Sequence, residues 1–382
     1  MVRPSRFGDL PVEIIHLIVI ACATPRLADA ASLSATNVYL RSIARPVVVQ
    51  QLDEHRAALF QVASTIGNKG AKMIRKAIAA NGVLTYLNLS FNKIGPEGGV
   101  AVGEALCGNG VLTTLKLRKN NIRDEGAAAI ALALGGNEVL TTLDISYNYI
   151  GGEGAKAVGE ALAVNGVLTK LSLYGNIIRA EGAKALASAL CVNEVLTTLD
   201  MGGNEICGID EYGDGDYDAS GIVSLADALK INGVLTDLNL SYNGIRDEGA
   251  AALGEALEVN GVLTNLILSW NEIGTEGATA IAEALRGNAV LTNLNLRFNE
   301  IGPEGAKALA SSLRVNGVLT DLNLSCNGIR DEGAAALGEA LEVNGVLKAL
   351  CIVDNDLGDE GDEGAKAIQD AVSGREGFVL EM

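Results

Sequence analysis

One interval governs this chain. An asparagine followed, after one intervening residue, by Val-Leu recurs at 81, 109, 137, 165 and 193, then at 232, 260, 288, 316 and 344. Successive copies lie 28 residues apart, except that the step from 193 to 232 is 39, an insertion of 11 residues. The unit is close to N-G-V-L-T-x-L-x-L-S-x-N-x-I-x-x-E-G-A-x-A-L-x-E-A-L. A unit this short cannot enclose a core of its own. Its leucine row has to be buried against the units on either side, which confines the chain to a stacked array. With 48% hydrophobic and 20% charged residues among 382, the composition supplies enough apolar surface to do so.

Within a unit the apolar period changes. Leu263, Leu266 and Leu268, separated by Asn265, Ile267 and Ser269, predict a short strand with one buried face. Ala250, Leu253, Gly254 and Leu257 follow helical spacing, with Glu255 and Glu258 turned to water. Each unit is therefore a strand followed by a helix. Small residues on the helix face allow close approach to the strand layer, and the Asn-Gly after each helix suits a left-handed cap. Acidic residues in the Glu-Gly-Ala and Asp-Glu-Gly segments sit at helix starts, where the dipole favours anions.

Asn92, Asn120, Asn148, Asn176, Asn204, Asn243, Asn271, Asn299, Asn327 and Asn355 recur where the strand ends and the chain bends inward. A buried bend leaves backbone groups without partners, and a carboxamide supplies both donor and acceptor. These ten asparagines are expected to form a structural ladder between coils.

The pattern L-x-x-L-x-L-x-x-N-x-[IL], with a helix and a 28-residue period, resembles leucine-rich repeats of the ribonuclease-inhibitor type over residues 81 to about 372. Ribonuclease inhibitors, Ran GTPase-activating proteins and NOD-like receptors share such repeats. The resemblance implies an α/β fold: a right-handed solenoid, or horseshoe, with parallel strands on the concave face, helices on the convex face and a small helical module in front. Side chains between the strand leucines then line the hollow. The position before each ladder asparagine reads Phe91, Lys119, Tyr147, Gly175, Gly203, Tyr242, Trp270, Phe298, Cys326 and Asp354. Consecutive coils place Tyr242, Trp270 and Phe298 in an aromatic file about 5 Å apart per step. Aromatic clusters anchor protein interfaces. Asp237, Asn265, Asn293 and Arg297 flank the file, with Ile267, Asn295 and Asp321 beside them, and Phe91, Tyr147, Lys116, Arg118 and Lys119 extend the candidate partner-binding surface. The aromatic positions are equally consistent with packing against their own neighbours.

The ends are less regular. Ile66-Gly67-Asn68-Lys69-Gly70 aligns with Ile94-Gly95-Pro96-Glu97-Gly98, so 47–80 is expected to be a degenerate capping repeat with a helix at about 68–80. Ten repeats then occupy 81–372, with the acidic insertion near 208–220, and 373–382 is expected to be a tail. The insertion carries Asp214-x-Asp216-x-Asp218, the opening of a calcium loop. Ala219 and Leu225 stand where that loop needs glycine and glutamate, so a solvated acidic loop is expected.

Ahead of the repeats, Asp9-Leu10-Pro11 followed by Glu13 is a helix start, and Ile14, Ile15, Ile18, Val19 and Cys22 form a broad apolar stripe. Together with Asn37-x-x-Leu40-Arg41-x-Ile43-Ala44 this segment, 1–46, resembles an F-box, although the tryptophan frequent near the end of F-boxes is absent. That resemblance implies docking of a Skp1-like adaptor, and through it a cullin, by Leu10, Pro11, Ile14, Ile15 and Ile18. A helical cap on the first repeat is the plainer reading of the same stripe.

Several functions find no support. His16 and His55 have no partnered serine or cysteine pattern, and no phosphate-binding or dinucleotide fingerprint appears. No catalytic residue, cofactor or metal site is expected. Cysteines 22, 107, 191, 207, 326 and 351 form no CxxC pair and read as reduced thiols. Asp9, Glu13 and His16 interrupt the amino-terminal apolar run, which argues against a secretion signal, and no membrane span is expected. A formal charge of −18 opposes nucleic-acid binding and favours a protein ligand with a basic or mixed surface, in the cytoplasm or nucleus. Two functions follow: an interaction protein that recruits substrates to a ubiquitin ligase of the SCF type, or, by resemblance of the repeats, an activator or regulator of a Ran-like GTPase.

Overall fold

The computed structural model describes residues 75, 78, 84–209, 215–357 and 363–382. Eleven strands alternate with ten helices among them. The strands are β1 (Tyr86–Asn88), β2 (Thr114–Lys116), β3 (Thr142–Asp144), β4 (Lys170–Ser172), β5 (Thr198–Asp200), β6 (Asp237–Asn239), β7 (Asn265–Ile267), β8 (Asn293–Asn295), β9 (Asp321–Asn323), β10 (Ala349–Cys351) and β11 (Val379–Glu381). The helices are α1 (Pro96–Leu106), α2 (Arg123–Leu134), α3 (Gly152–Leu162), α4 (Arg179–Leu190), α5 (Ser220–Ile231), α6 (Arg246–Val259), α7 (Thr275–Gly287), α8 (Gly302–Leu313), α9 (Arg330–Val343) and α10 (Glu363–Val372). All strands are parallel, in one open sheet whose spatial order is the chain order. This is the α/β solenoid expected, with strands on the concave side and helices on the convex side.

The leucines explain the register. Leu87, Leu115, Leu143, Leu171 and Leu199 pair in line across neighbouring strands, and the series continues through Leu238, Leu266, Leu294, Leu322 and Leu350. All are buried, as are Ala250, Leu253, Gly254 and Leu257 on the facing side of α6. A slip of one residue would turn every leucine outward, so burial fixes the pairing. Glycines on the helices have a different job from the one the sequence suggested: they face the next helix more than the strand layer. A Cβ at Gly103 would lie 2.5 Å from the Ala129 carbonyl oxygen, and one at Gly159 would lie 2.8 Å from that of Ala185.

The asparagine ladder forms as expected. Asn176 Oδ1 accepts hydrogen bonds from the backbone N–H groups of Asn148 (2.9 Å) and Ile150 (3.0 Å), while its Nδ2 donates to the carbonyls of Leu173 (2.7 Å) and Ile145 (3.2 Å). One side chain thus closes its own bend and ties the preceding coil to it. A second ladder, not foreseen, replaces the left-handed cap expected after each helix. Asn232, Asn260, Asn288 and Asn344 are extended, with φ between −69° and −81°. Their side chains do the work instead, as Asn165 illustrates. Its Oδ1 accepts from the N–H groups of Val167 (2.9 Å) and Leu168 (2.8 Å), and its Nδ2 donates to the Leu134 carbonyl one coil back (2.7 Å). Side-chain acceptors two and three residues upstream make such turns without a positive φ.

Helix starts are also capped across coils. Asp124 Oδ1 accepts from Gly151 N (2.6 Å) and Gly154 N (3.1 Å), and Asp247 Oδ1 from Gly274 N (2.9 Å) and Gly277 N (2.7 Å). These aspartates are therefore partners of the next helix and not only solvated ends. At the amino-terminal side, Arg75 and Ile78 are helical, Ile78 is buried and its carbonyl accepts from Asn109 Nδ2 at 2.9 Å, within the helix expected over 68–80. The remainder of that cap and the adaptor-binding candidates Leu10, Pro11, Ile14, Ile15 and Ile18 lie outside the described residues.

Two boundaries differ from expectation. Residues 373–382 are not a bare tail: β11 pairs in register with β10, matching Leu380 to Leu350. The segment carries little of the repeat's consensus beyond Leu380, which extends the leucine row and packs, partly buried, against the core. The insertion is also anchored at its carboxyl end. Tyr217 donates its hydroxyl to the Ile245 carbonyl at 2.8 Å, its ring lies 5.0 Å from the Arg246 guanidinium, and burial pushes its phenol up to about 12. Asp218 Oδ1 accepts from Ser220 N at 2.9 Å and is held below the ordinary carboxylate range by Ser220. Asp210, Glu211 and Asp214 lie outside the described residues.

Asn176→Ala strands two buried N–H groups and two buried carbonyls. It is expected to lower stability by about 2–4 kcal/mol, since leaving such groups unpaired costs roughly 1–3 kcal/mol each before relaxation. Urea unfolding followed by circular dichroism measures the shift.

Candidate functional site

The position before the ladder asparagine is unusual in its backbone. In all ten coils it is left-handed, from φ 53° at Tyr147 and Phe298 to 66° at Gly175. Only Gly175 and Gly203 are glycine there. Phe91, Tyr147, Tyr242, Trp270 and Phe298 hold bulky aromatic rings in a conformation that disfavours a Cβ by roughly 1–2 kcal/mol. In nine of the ten coils a backbone hydrogen bond to the next coil accompanies it. Trp270 N donates to the Arg297 carbonyl at 3.0 Å and Tyr242 N to that of Ser269 at 3.0 Å, continuing the sheet ladder past the ends of the strands.

The geometry turns this position into a rim along the carboxyl ends of the strands. Tyr242, Trp270 and Phe298 stack face to face, with centroids 5.1 Å apart and 12° between planes for the first pair, and 3.7 Å and 19° for the second. Trp270 is nevertheless 42% exposed and Tyr242 41%, because only the faces are covered and the edges are open. Arg297 lies 4.7 Å from the Phe298 ring. Phe91 and Tyr147 do not join the stack, since Lys119 stands between their coils and Gly175 and Gly203 separate Tyr147 from Tyr242. Tyr147 instead meets Tyr174, which the sequence reading passed over, at 5.3 Å and 48°. A Cβ at Gly175 would fall 2.7 Å from the Tyr147 ring, and one at Gly202 would fall 2.6 Å from that of Tyr174. The signal for Tyr174 was present: an aromatic residue directly before a glycine in the rim position.

The frame does not dictate the rim residue. Residues 232–263 and 316–347 are identical except that Tyr242 in the first block is Cys326 in the second. The same strand, bend and helix therefore carry either side chain. Cys326 occupies the same left-handed position, φ 56°, with its thiol 3.8 Å from Asp354 Oδ2.

Beside the rim, the strand positions form a polar floor. Asn265 Nδ2 donates to Asp237 Oδ1 on the preceding coil at 3.2 Å, and Asn295 Oδ1 accepts from Arg297 N of its own coil at 3.0 Å, so these candidates are partly engaged within the sheet. Asn293 and Asp321 are exposed and Ile267 is half-buried. Asp200, not singled out from sequence, is a half-buried carboxylate of the floor. It accepts from Asn239 Nδ2 (2.9 Å), Ser172 Oγ (3.1 Å) and Gly202 N (3.3 Å), yet burial raises its carboxyl above the ordinary range, the three hydrogen bonds opposing it. At the amino-terminal end of the rim Lys116, Arg118 and Lys119 lie within 5.9, 4.6 and 5.4 Å of the rings of Tyr86, Tyr147 and Phe91. No group of histidine, cysteine or carboxylate side chains able to hold a metal occurs among the described residues. No helix among them is long and apolar enough to cross a membrane.

Comparison with known proteins agrees with the repeat architecture. The sequence matches the Leucine Rich repeat family at residues 80–103, 108–131, 136–159, 232–254, 259–282, 287–310 and 315–338. No curated protein matches it. Among solved structures it is similar to leiomodin-1 actin-binding site 2, at 25% identity over 42% of this chain and 87% of that one, TM-score 0.34. It is similar to a Caenorhabditis elegans tropomodulin C-terminal domain at 18% identity, over 40% of this chain and 91% of that one, TM-score 0.33. It is similar to a chain of the yeast Rad7 and Elc1 complex at 14% identity, over 89% and 97%, TM-score 0.38. At these low TM-scores the likenesses carry no functional meaning for this chain.

Two outcomes test the site's energetics. Trp270→Gly relieves the left-handed strain while removing two ring contacts worth about 0.5–1.5 kcal/mol each, so stability should move by less than about 2 kcal/mol. Leu266→Ala, on the buried side of the same coil, should cost about 2–5 kcal/mol. Asp200→Asn should stabilise the protein at neutral pH. A carboxyl whose folded pKa is raised disfavours folding above that pKa, and the penalty fades as pH falls through it toward the unfolded value near 3.9. Urea midpoints of the two proteins should therefore converge on acidification.

Proposed function

From the premise that the chain is a leucine-rich repeat protein, and so a protein-interaction module, we propose that it holds a protein ligand against the concave floor and the aromatic rim. The observation that supports this reading is the stack of Tyr242, Trp270 and Phe298: three rings kept partly open to water on a backbone position that holds glycine or cysteine in other coils. Rings that only filled space would gain nothing from remaining open to water, whereas open aromatic edges supply the buried area on which interface anchors depend. Asp237, Asn265, Asn293 and Arg297 then supply hydrogen bonds around the anchor, with Phe91 and Tyr147 as outlying contacts. The net charge of −18 selects a ligand with a basic or mixed surface and speeds its encounter.

The amino-terminal segment gives the second half of the proposal. Leu10, Pro11, Ile14, Ile15 and Ile18 dock a Skp1-like adaptor, so that the ligand held by the repeats becomes a substrate of a cullin ubiquitin ligase. The F-box-like sequence pattern supports this step.

Affinity purification of the full chain tests both halves. Ligands captured by the wild type should be lost with Trp270→Ala while the circular dichroism spectrum is unchanged, and a Skp1-like protein should be lost with Leu10→Ala combined with Pro11→Ala. Accelerated GTP hydrolysis by a Ran-like GTPase, with no adaptor captured, would replace the ligase reading with that of a GTPase regulator.

A further inference from the structure

The second coil departs from all the others in charge. Its three outward positions around the end of β2 are Lys116, Arg118 and Lys119, whereas the same positions in the next coil are Asp144, Ser146 and Tyr147, and in the coil before it Asn88, Ser90 and Phe91. Three cations thus occupy neighbouring places in a molecule of net charge −18. Like charges this close repel one another, so a structural purpose would require compensating carboxylates.

None is supplied. Several cations on the helices are paired, as Lys230 with Glu255 (3.1 Å), Lys307 with Glu332 (3.2 Å) and Arg314 with Glu339 (3.0 Å), while others among the described residues, such as Lys93, Lys156 and Lys170, stand singly; what sets the second coil apart is that three cations gather there without a carboxylate partner. Among the described residues no carboxylate lies within ion-pairing distance of Lys116, Arg118 or Lys119. Asp144 stands opposite Lys116 in the sheet register, but its Oδ1 is taken by Ser146, accepting from both the backbone N–H and the hydroxyl. What the three cations contact is aromatic: Lys116 reaches back to Tyr86, Lys119 to Phe91, and Arg118 forward to Tyr147. A ring face orients a cation by roughly 0.5–1 kcal/mol at an exposed site and leaves its charge uncancelled. Arg118 and Lys119 are exposed, and Lys119 stands on the strained rim backbone at φ 55°. Lys170, two strands along the same face, is exposed as well. The opposite end of the surface carries Asp321 and Asp354.

We infer that Lys116, Arg118 and Lys119 form a binding site for a carboxylate-rich stretch of a protein partner. The inference rests on the reading of the concave face and rim as a ligand surface, and it assigns the ligand's polarity: its acidic segment lies on the second coil, and its basic surface lies toward the carboxyl-terminal coils. Charge complementarity selects the occupant, since the surrounding acidic body rejects any anion that does not reach these three groups. Each ring beside them already carries a cation on one face, which weakens the stacking platform that nucleic-acid bases would need, and the acidic body around it repels a phosphate backbone.

The test uses the full chain and a fluorescein-labelled hexaglutamate peptide, with binding read by anisotropy. Wild type should bind at low salt, weaken as salt shortens the screening length, and ignore a hexalysine peptide at this site. Arg118→Glu with Lys119→Glu should weaken binding by at least about tenfold, about 1.4 kcal/mol, whereas Lys366→Glu on α10 should leave it unchanged. Absence of hexaglutamate binding, equal binding by the double variant, or tighter binding of a single-stranded oligonucleotide would each overturn the assignment. Because the probe does not need the aromatic anchor, loss of the natural ligand with Trp270→Ala can hold or fail independently of this result.

Discussion

The whole architecture depends on a hydrogen bond that no coil can make by itself. At the end of each strand the chain turns into the interior, where its N–H and carbonyl groups are cut off from water and would cost roughly 1–3 kcal/mol each if left unpaired. The buried asparagines solve this by borrowing across the stack: Asn176 serves the backbone of its own coil and of the coil before it. The asparagines after the helices repeat the device on the opposite edge, as Asn165 does. Between these two polar seams lies the leucine spine. Each coil is completed only by its neighbour, so the array is rigid where it is shared and free to vary where it is not.

That division explains the rim. The position before each asparagine sits at a positive φ whatever side chain it carries, and in all but the last coil an inter-coil backbone bond accompanies it. The backbone there is fixed and the side chain is not, as the exchange of Tyr242 for Cys326 within otherwise identical blocks illustrates. A fixed backbone bearing a variable side chain is the arrangement expected of a recognition surface mounted on a scaffold. Stacking then adds order: the coil spacing brings flat rings to van der Waals separation, so Tyr242, Trp270 and Phe298 form one rigid element in place of three mobile ones. Such preorganisation lowers the entropy lost on binding.

Charge follows the same logic. On the convex side, Lys230, Lys307 and Arg314 bridge to acids one coil onward, and these exposed pairs contribute little to stability. They offset only part of the negative charge the helices carry. On the concave side the charges are segregated. Cations gather on the second coil and carboxylates elsewhere, giving the hollow a direction along the stack.

Much of this was legible in the sequence. The 28-residue period determined the stacked coils, the change of spacing from two to 3.6 determined a strand followed by a helix, and the recurring Asn271 and its equivalents determined the inner ladder. Each such feature repeats in every coil, so a contact between coils is written into the chain as a fixed offset. What only the tertiary structure decided lacks that redundancy. The left-handed backbone of the rim was hidden because Trp270 and Phe298 are not residues that announce a positive φ. Tyr174 covering Gly202, Tyr217 locking the insertion to Ile245, and β11 completing the edge of β10 each occur once. The order of the stack, the cations lying on rings and the enclosure of Asp200 depend on which side chain the adjoining coil happens to present. A period specifies what neighbouring coils share, and only their actual juxtaposition in space specifies what they do not.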